Sequence, residues 1–182
     1  MNARYKTEGF TREISAEEYL AKYHNPDKVW EYCHACKNYG KQWSCPPFDF
    51  DVVERLSKYR NIRLIATKLI LLDKCVMPCE LPDLLQPERV RLEEQLLALE
   101  RQYNGLACTY ISECQHCAKG ACARLKGKPC CHPELVRPSL EAYGFDVART
   151  MTDIFDIELK WSANNTLPEY ILLVCALFYN AE

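Results

Sequence analysis

Two groups of cysteines carry the chemistry that this sequence offers. In the larger one Cys114 and Cys117 stand three positions apart, Cys122 and Cys130 follow, and Cys131, His132 and Pro133 come directly after, with five cysteines inside 18 residues. A cysteine used as a small apolar residue stands singly on the inward face of an element. These stand among Lys, Gly, Gln and His with no apolar periodicity, so ligation is the simplest role left. Thiolates three positions apart share one tight turn and reach one metal centre, and the later cysteines wrap back from a loop bearing Gly120 and Gly127. The smaller group, Cys33, Cys36 and Cys45, repeats the pair in one turn; Gly40 lets the chain double back, and Pro46-Pro47 stiffens the exit. Three ligands are obvious there. Either the fold adds a fourth from Cys75, Cys79, Cys108, Asp49 or His34, or a cluster keeps one open iron that acts as a Lewis acid.

Zinc and iron–sulfur clusters both accept four thiolates. Zinc ribbons place two Cys-x2-Cys knuckles about 15 to 20 residues apart; here each knuckle is followed by single cysteines at shorter gaps, and Pro46 after Cys45 resembles the Cys-Pro end of a ferredoxin run. The expectation is therefore a [4Fe-4S] cluster on Cys114, Cys117, Cys122 and Cys130, a second metal centre on Cys33, Cys36 and Cys45, and zinc as the alternative. A dianionic cluster needs backbone N–H groups and cations around it. Lys119, Arg124, Lys126, Lys128 and Arg137 face only Glu134 across the second stretch, which also suits an acidic redox partner. For Arg137 alone a salt bridge is the first expectation. Tyr39, Trp43 and Phe48 would shield a cluster or simply pack beside a rigid loop. His116 and His132 read as surface or supporting groups rather than ligands, and Cys175 as core; Cys108 stands between core and ligand, and Cys75-x3-Cys79 has helical spacing.

The elements that position these loops are legible in part. Ser15 to Glu18 forms a capping box ahead of Tyr19, Leu20 and Tyr23, and Asn25-Pro26 ends that helix. Asp51 to Tyr59 has helical apolar spacing, and Ile62 to Leu72 is a β-branched run fit for a central strand. Pro87 opens a helix to Tyr103 with Val90, Leu92, Leu96, Leu97 and Leu99 inward and Gly105 beyond it. Leu106 to Ile111 is a strand that delivers the chain to the larger cysteine loop. After it come a helical turn from Ser139 to Gly144, a helix within 145–154, and strands Ile157 to Trp161 and Tyr170 to Tyr179 joined near Asn164-Asn165. The predicted fold is α+β: a mixed β-sheet with helices on one side and cysteine-rich metal-binding loops, in one domain over residues 1–182 with motifs at 33–47 and 114–138.

A net charge of -2 and a pI near 6.1 make no case for nucleic acid or membrane as partners. The first 23 residues lack an apolar signal core, and the longest apolar run is about half a bilayer span, so a cytoplasmic setting is expected. There, twelve cysteines read as metal or redox chemistry rather than as disulfides.

With both groups in view the chain resembles the bacterial and archaeal family of predicted metal-binding proteins of unknown function (domain of unknown function 2284). The resemblance rests on Cys33-x2-Cys36-x2-Tyr39-Gly40-x2-Trp43-x-Cys45-Pro46-Pro47, on Cys114-x2-Cys117-x4-Cys122 with Pro129-Cys130, and on Arg137-Pro138-Ser139-x-Glu141-Ala142-x-Gly144-x-Asp146-Val147. It implies one domain, iron–sulfur or other metal binding, and a place in anaerobic metabolism, without a known reaction. The family commonly has Arg where this chain has Cys131, which keeps Cys131 out of the expected ligand set. No phosphate loop, nucleotide fingerprint or nucleophile motif is present. Electron transfer, or a redox accessory role to a partner protein, is the expected function. The alternatives are a reductase or lyase working at an open iron of the Cys33 group, and a structural zinc module.

Overall fold

The computed structural model describes residues 4–72, 76–110, 112–118, 120–164 and 166–180. Its centre is a four-stranded sheet of β1 (Tyr5–Ser15), β2 (Asn61–Leu71), β3 (Leu106–Cys108) and β4 (Tyr170–Tyr179), in spatial order β1-β2-β4-β3. Every neighbouring pair is antiparallel, so the sheet is not the mixed one expected. The sequence patterns carried no information on strand direction.

β2 and β4 are apolar on both faces, and each face has its own cover. Ile62, Leu64 and Ala66 with Leu172, Val174, Ala176 and Phe178 meet α1 (Ala16–Tyr23) and α5 (Val147–Phe155). Ile65 and Leu69 with Leu173, Cys175 and Leu177 meet α4 (Leu81–Tyr103) on the other side. Helices therefore lie on both sides rather than one. Two-sided burial demands apolar residues at successive positions, which is the run read in the sequence. On the first face Tyr19 Oη lies 2.9 Å from Thr150 Oγ1, linking α1 to α5, and its ring stacks on Phe145 at 4.8 Å.

Several boundaries move for physical reasons. β1 has no strand signature in the sequence, because as an edge strand it is mostly exposed and polar, with Phe10 and Ile14 packed against one core face and Tyr5 against the other. α4 begins at Leu81, and Pro87 lies inside it rather than at its start. Its buried stripe is Leu85, Arg89, Leu92 and Leu96, whereas Val90 points to solvent. Residues 157–161 are irregular, not a strand, and the expected turn falls partly on Asn165, outside the described residues. α2 (Pro26–Ala35) and α3 (Val52–Leu56) complete the helices, capped by Asn25 and Asp51. Among the described residues no helix is long and apolar enough to cross a membrane.

Candidate metal centre

The Cys33 group is built on the end of α2. Asn25 Oδ1 accepts from Lys28 N–H at 3.3 Å and Pro26 takes the first turn, so the helix delivers Cys33 in its last turn and Cys36 as its C-cap. The Cys36 N–H returns to Cys33 O at 3.0 Å. Gly40, at φ +67°, donates to Pro46 O at 2.8 Å, and this closure brings Cys45 back beside the pair. The Cys114 group is held by α4. Arg89, buried, donates to Tyr110 Oη at 3.0 Å and to Glu113 O at 3.2 Å, and Glu93 Oε1 lies 3.1 Å from His116 Nε2. A 3₁₀ turn, Ala123–Lys126, closed by Gly127 at φ +63°, follows Cys122.

The two loops interlock. Gln42 Oε1 accepts from Cys114 N–H at 2.8 Å, and Trp43 Nε1 donates to Lys128 O at 3.1 Å. Arg124, over the Trp43 ring at 5.1 Å, donates to Gln42 O at 2.6 Å, to Cys45 O at 2.5 Å and to Pro47 O. Lys37 Nζ meets Glu113 Oε1 at 2.5 Å. The far end of the second loop is fixed by Arg137, which pairs bidentately with Glu100 and donates to Val136 O at 2.8 Å, so the expected salt bridge is present. Glu100 Oε2 also accepts from Ala107 N–H at 2.7 Å, which ties this end to β3.

The eleven described cysteines are free thiols. Burial, then Cys45, Cys36 and Glu141, pushes the Cys33 thiol up to about 11. Burial first and then Cys36 and Cys122 raise Cys45, against the Ser44 hydroxyl and the Arg124 guanidinium. Cys114 is raised by burial and by Cys130, Cys117 and Cys122, against a backbone hydrogen bond from His116. Cys117 is raised by desolvation, then by Cys131, Cys122 and Cys130. Each group thus gathers thiols that repel one another as thiolates, a repulsion that a cation removes, and Cys45 with Cys122 joins the groups. Backbone N–H groups already point at sulfur: Asn38 at 3.5 Å from Cys36 Sγ and His132 at 3.4 Å from Cys130 Sγ. Among the described residues no three Cys, His, Asp or Glu side chains converge enough to hold a metal ion as they stand. The donor chemistry fits a thiophilic metal; closing on it requires side-chain movement.

The remaining expected residues divide clearly. His34 Nε2 lies 2.9 Å from Tyr39 Oη, so both side chains are engaged with each other. Phe48 stacks on Phe50 at 5.0 Å beside Tyr143, as packing. Cys108 and Cys175 are fully buried in the sheet, Cys79 is in the exposed turn before α4, and Asp49 is exposed. Cys75 and Lys119 lie outside the described residues. Beside Cys130 a cleft of about 460 Å³ opens between Trp43, Phe48, Phe50, Arg55 and Tyr143. Glu141, which no ligand reading named, has its carboxyl oxygen Oε2 sealed from solvent with no hydrogen-bond partner, although part of its side chain reaches the surface. In the sequence it stands as a lone acid between Leu140, Ala142 and Tyr143, within the Arg137 to Val147 pattern that carries the family resemblance.

The family described as predicted metal-binding protein (DUF2284) matches residues 19–177, which takes in both loops and the elements around them except β1, the start of α1 and the end of β4. The chain belongs to this family. No curated protein and no solved structure matches it. The family is a metal-binding one by description, and the kind of metal is left open.

Proposed function

We propose that the protein is an iron–sulfur electron-transfer protein that serves a partner enzyme in the cytoplasm. On this reading Cys114, Cys117, Cys122 and Cys130 hold a [4Fe-4S] cluster, and Cys33, Cys36 and Cys45 hold a second metal centre. The observation that carries the reading is the interlock through Gln42 and Arg124, which joins two thiol groups of suitable ligand type in one structural unit. A cluster of this kind supplies reversible one-electron transfer. The chain's own residues set its conditions. N–H donors from Asn38 and His132 stabilise negative sulfur at Cys36 and Cys130, and the Arg124 guanidinium does the same for Cys45. Trp43 and Arg124 pack on each other where the two loops meet, and Arg89 and Arg137 hold both ends of the second loop to α4.

Anaerobic purification with iron, acid-labile sulfide and zinc analysis, alongside the visible spectrum, tests this. About eight irons with matching sulfide support two cubane clusters, and about four leave the Cys33 group to another metal or none. Zinc without colour refutes the redox reading and leaves a structural zinc module. The cleft beside Cys130 favours a second reading, a reductase or lyase. Its aromatic walls and the Arg55 guanidinium, 4.4 Å from the Phe50 ring, suit a small organic anion.

A further inference from the structure

The cleft beside Cys130 combines apolar walls with opposite charges that do not meet. The exit of the first loop contributes Trp43, Phe48 and Phe50 to it, and the second loop contributes Pro129, Pro133 and Val136. Its volume of about 460 Å³ lies within the range of small-ligand sites, about 300–1,000 Å³. The aromatic walls are held in place by one another: Phe48 stacks on Phe50 at 5.0 Å and tilts against Tyr143 at 5.4 Å. Fixed aromatic faces suit a flat apolar body.

Three polar side chains in the lining narrow the choice of ligand. Arg55 stands on α3, whose cap Asp51 accepts from Glu54 N–H at 2.8 Å, and its guanidinium lies over the Phe50 ring at 4.4 Å. A guanidinium over a ring keeps its edge N–H groups for a carboxylate. No acid among the described residues pairs with Arg55. Asp49, exposed at the same cleft, has no cation partner among them either, so two opposite charges line one opening without an ion pair between them. Tyr143 is only 1% exposed, and its hydroxyl has no hydrogen-bond partner among the described residues. Native structures rarely leave a buried hydroxyl unpartnered, so one in the lining of a cleft marks a contact for a ligand.

We propose that this cleft is a binding site for an aromatic monocarboxylate, with its carboxylate on Arg55, its ring among Trp43, Phe48 and Phe50, and the Tyr143 hydroxyl as a further donor. The inference deepens, and rests on, the second reading of the cleft as a site for a small organic anion. Asp49 sets the charge of the ligand: a second negative group would stand against it, which disfavours dicarboxylates and phosphate dianions. The walls set its body, because a bare anion such as acetate leaves them uncovered. Cys130 lines the same cleft, so the bound acid stands beside the second thiol group.

Isothermal titration calorimetry of the anaerobically purified protein with benzoate, acetate and phthalate tests this, in wild type and in Arg55→Met, Asp49→Asn and Tyr143→Phe. The expected result is saturable benzoate binding, one per chain, at least tenfold tighter than acetate or phthalate. Arg55→Met, at an exposed helix position, should weaken benzoate at least tenfold, and Tyr143→Phe about 3- to 10-fold. Asp49→Asn should tighten phthalate more than benzoate. Benzoate affinity unchanged in Arg55→Met, or phthalate affinity unchanged in Asp49→Asn, would overturn the proposal. Failure of the underlying reading looks different. If acetate and phthalate bind as tightly as benzoate and Arg55→Met weakens all three, the anion site stands and the aromatic monocarboxylate is wrong; if none of the three binds at about 10 mM, both are wrong.

Discussion

Replacing Arg124 with Met separates the docking of the two cysteine loops from the stability of the sheet. Met keeps an apolar stem over Trp43 and removes the charge and every donor. The guanidinium makes short charge-assisted bonds to the carbonyls of Gln42 and Cys45, at 2.6 and 2.5 Å, and a third to Pro47. Each such bond is worth about 1.5–3 kcal/mol alone, but the three share one half-buried, partly solvated group and do not add, so a net loss of ~2–4 kcal/mol, below their sum, is expected. This energy belongs to the equilibrium between docked and undocked loops, because the residues of the two sheet cores do not include Arg124. Amide hydrogen exchange reads it directly. Protection over residues 36–48 and 114–130 should fall about 30- to 700-fold, while β2 and β4 amides keep wild-type rates. Arg124→Lys, with a point charge that reaches one carbonyl, should recover part of the loss. Unchanged exchange in both loops, or an equal loss in β2 and β4, would refute the clamp.

Glu100→Gln breaks the bidentate pair with half-buried Arg137 and strands its charge; chemical denaturation should show ~2–3 kcal/mol less stability, whereas a change under 0.5 kcal/mol, as for ordinary surface pairs, would count against this account. Gly144→Ala forces a side chain to φ +86° with its Cβ 3.0 Å from Pro26 Cβ, so a loss of ~2–4 kcal/mol in thermal or urea unfolding is expected, and a neutral result would argue against the α2 contact. Burial lowers the pKa of His24 from 6.5, against its hydrogen bond to Tyr143 O. The folded state then binds fewer protons than the unfolded one, so its contribution is intact above pH 6.5 and is lost as the pH falls through the folded value. Urea midpoints of wild type and His24→Gln should diverge below pH 6.5, with wild type the steeper; parallel profiles would exclude the assignment.

What the sequence disclosed depended on how locally each feature is encoded. β2 and β4 were readable because burial on both faces makes them continuous apolar runs, and the Ser15 cap because Ser and Glu sit at fixed offsets. β1 was hidden because an edge strand with charges at Lys6, Glu8, Arg12 and Glu13 has no apolar signature. Strand direction and the two-sided helix cover depend on how the chain returns, which residue patterns do not record. α4 shows the same limit within one element. Its inward position 89 is an arginine, which periodicity assigns to solvent, because that side chain serves the Glu113 carbonyl ahead of Cys114. Both cysteine groups were legible as chemistry from spacing alone. Their interlock was not, since Gln42 and Arg124 are 82 positions apart and neither belongs to a recognisable motif.

The interlock also bears on why two centres would share one small chain. Cys45 and Cys122 belong to different groups, yet the charge of one thiolate is felt at the other. On the electron-transfer reading, a change of charge at either centre therefore alters the energy of the same change at the other, and the interaction is strongest where protein rather than water lies between them. Arg124 stands at that junction with its donors on the Cys45 carbonyl and its own backbone two residues from Cys122, so it acts on both loops at once. The two halves are anchored separately, the Cys114 loop to α4 through Arg89 and Arg137, and the Cys33 helix to the 139–145 turn through Trp30, so the Arg124 junction is where the two loops meet.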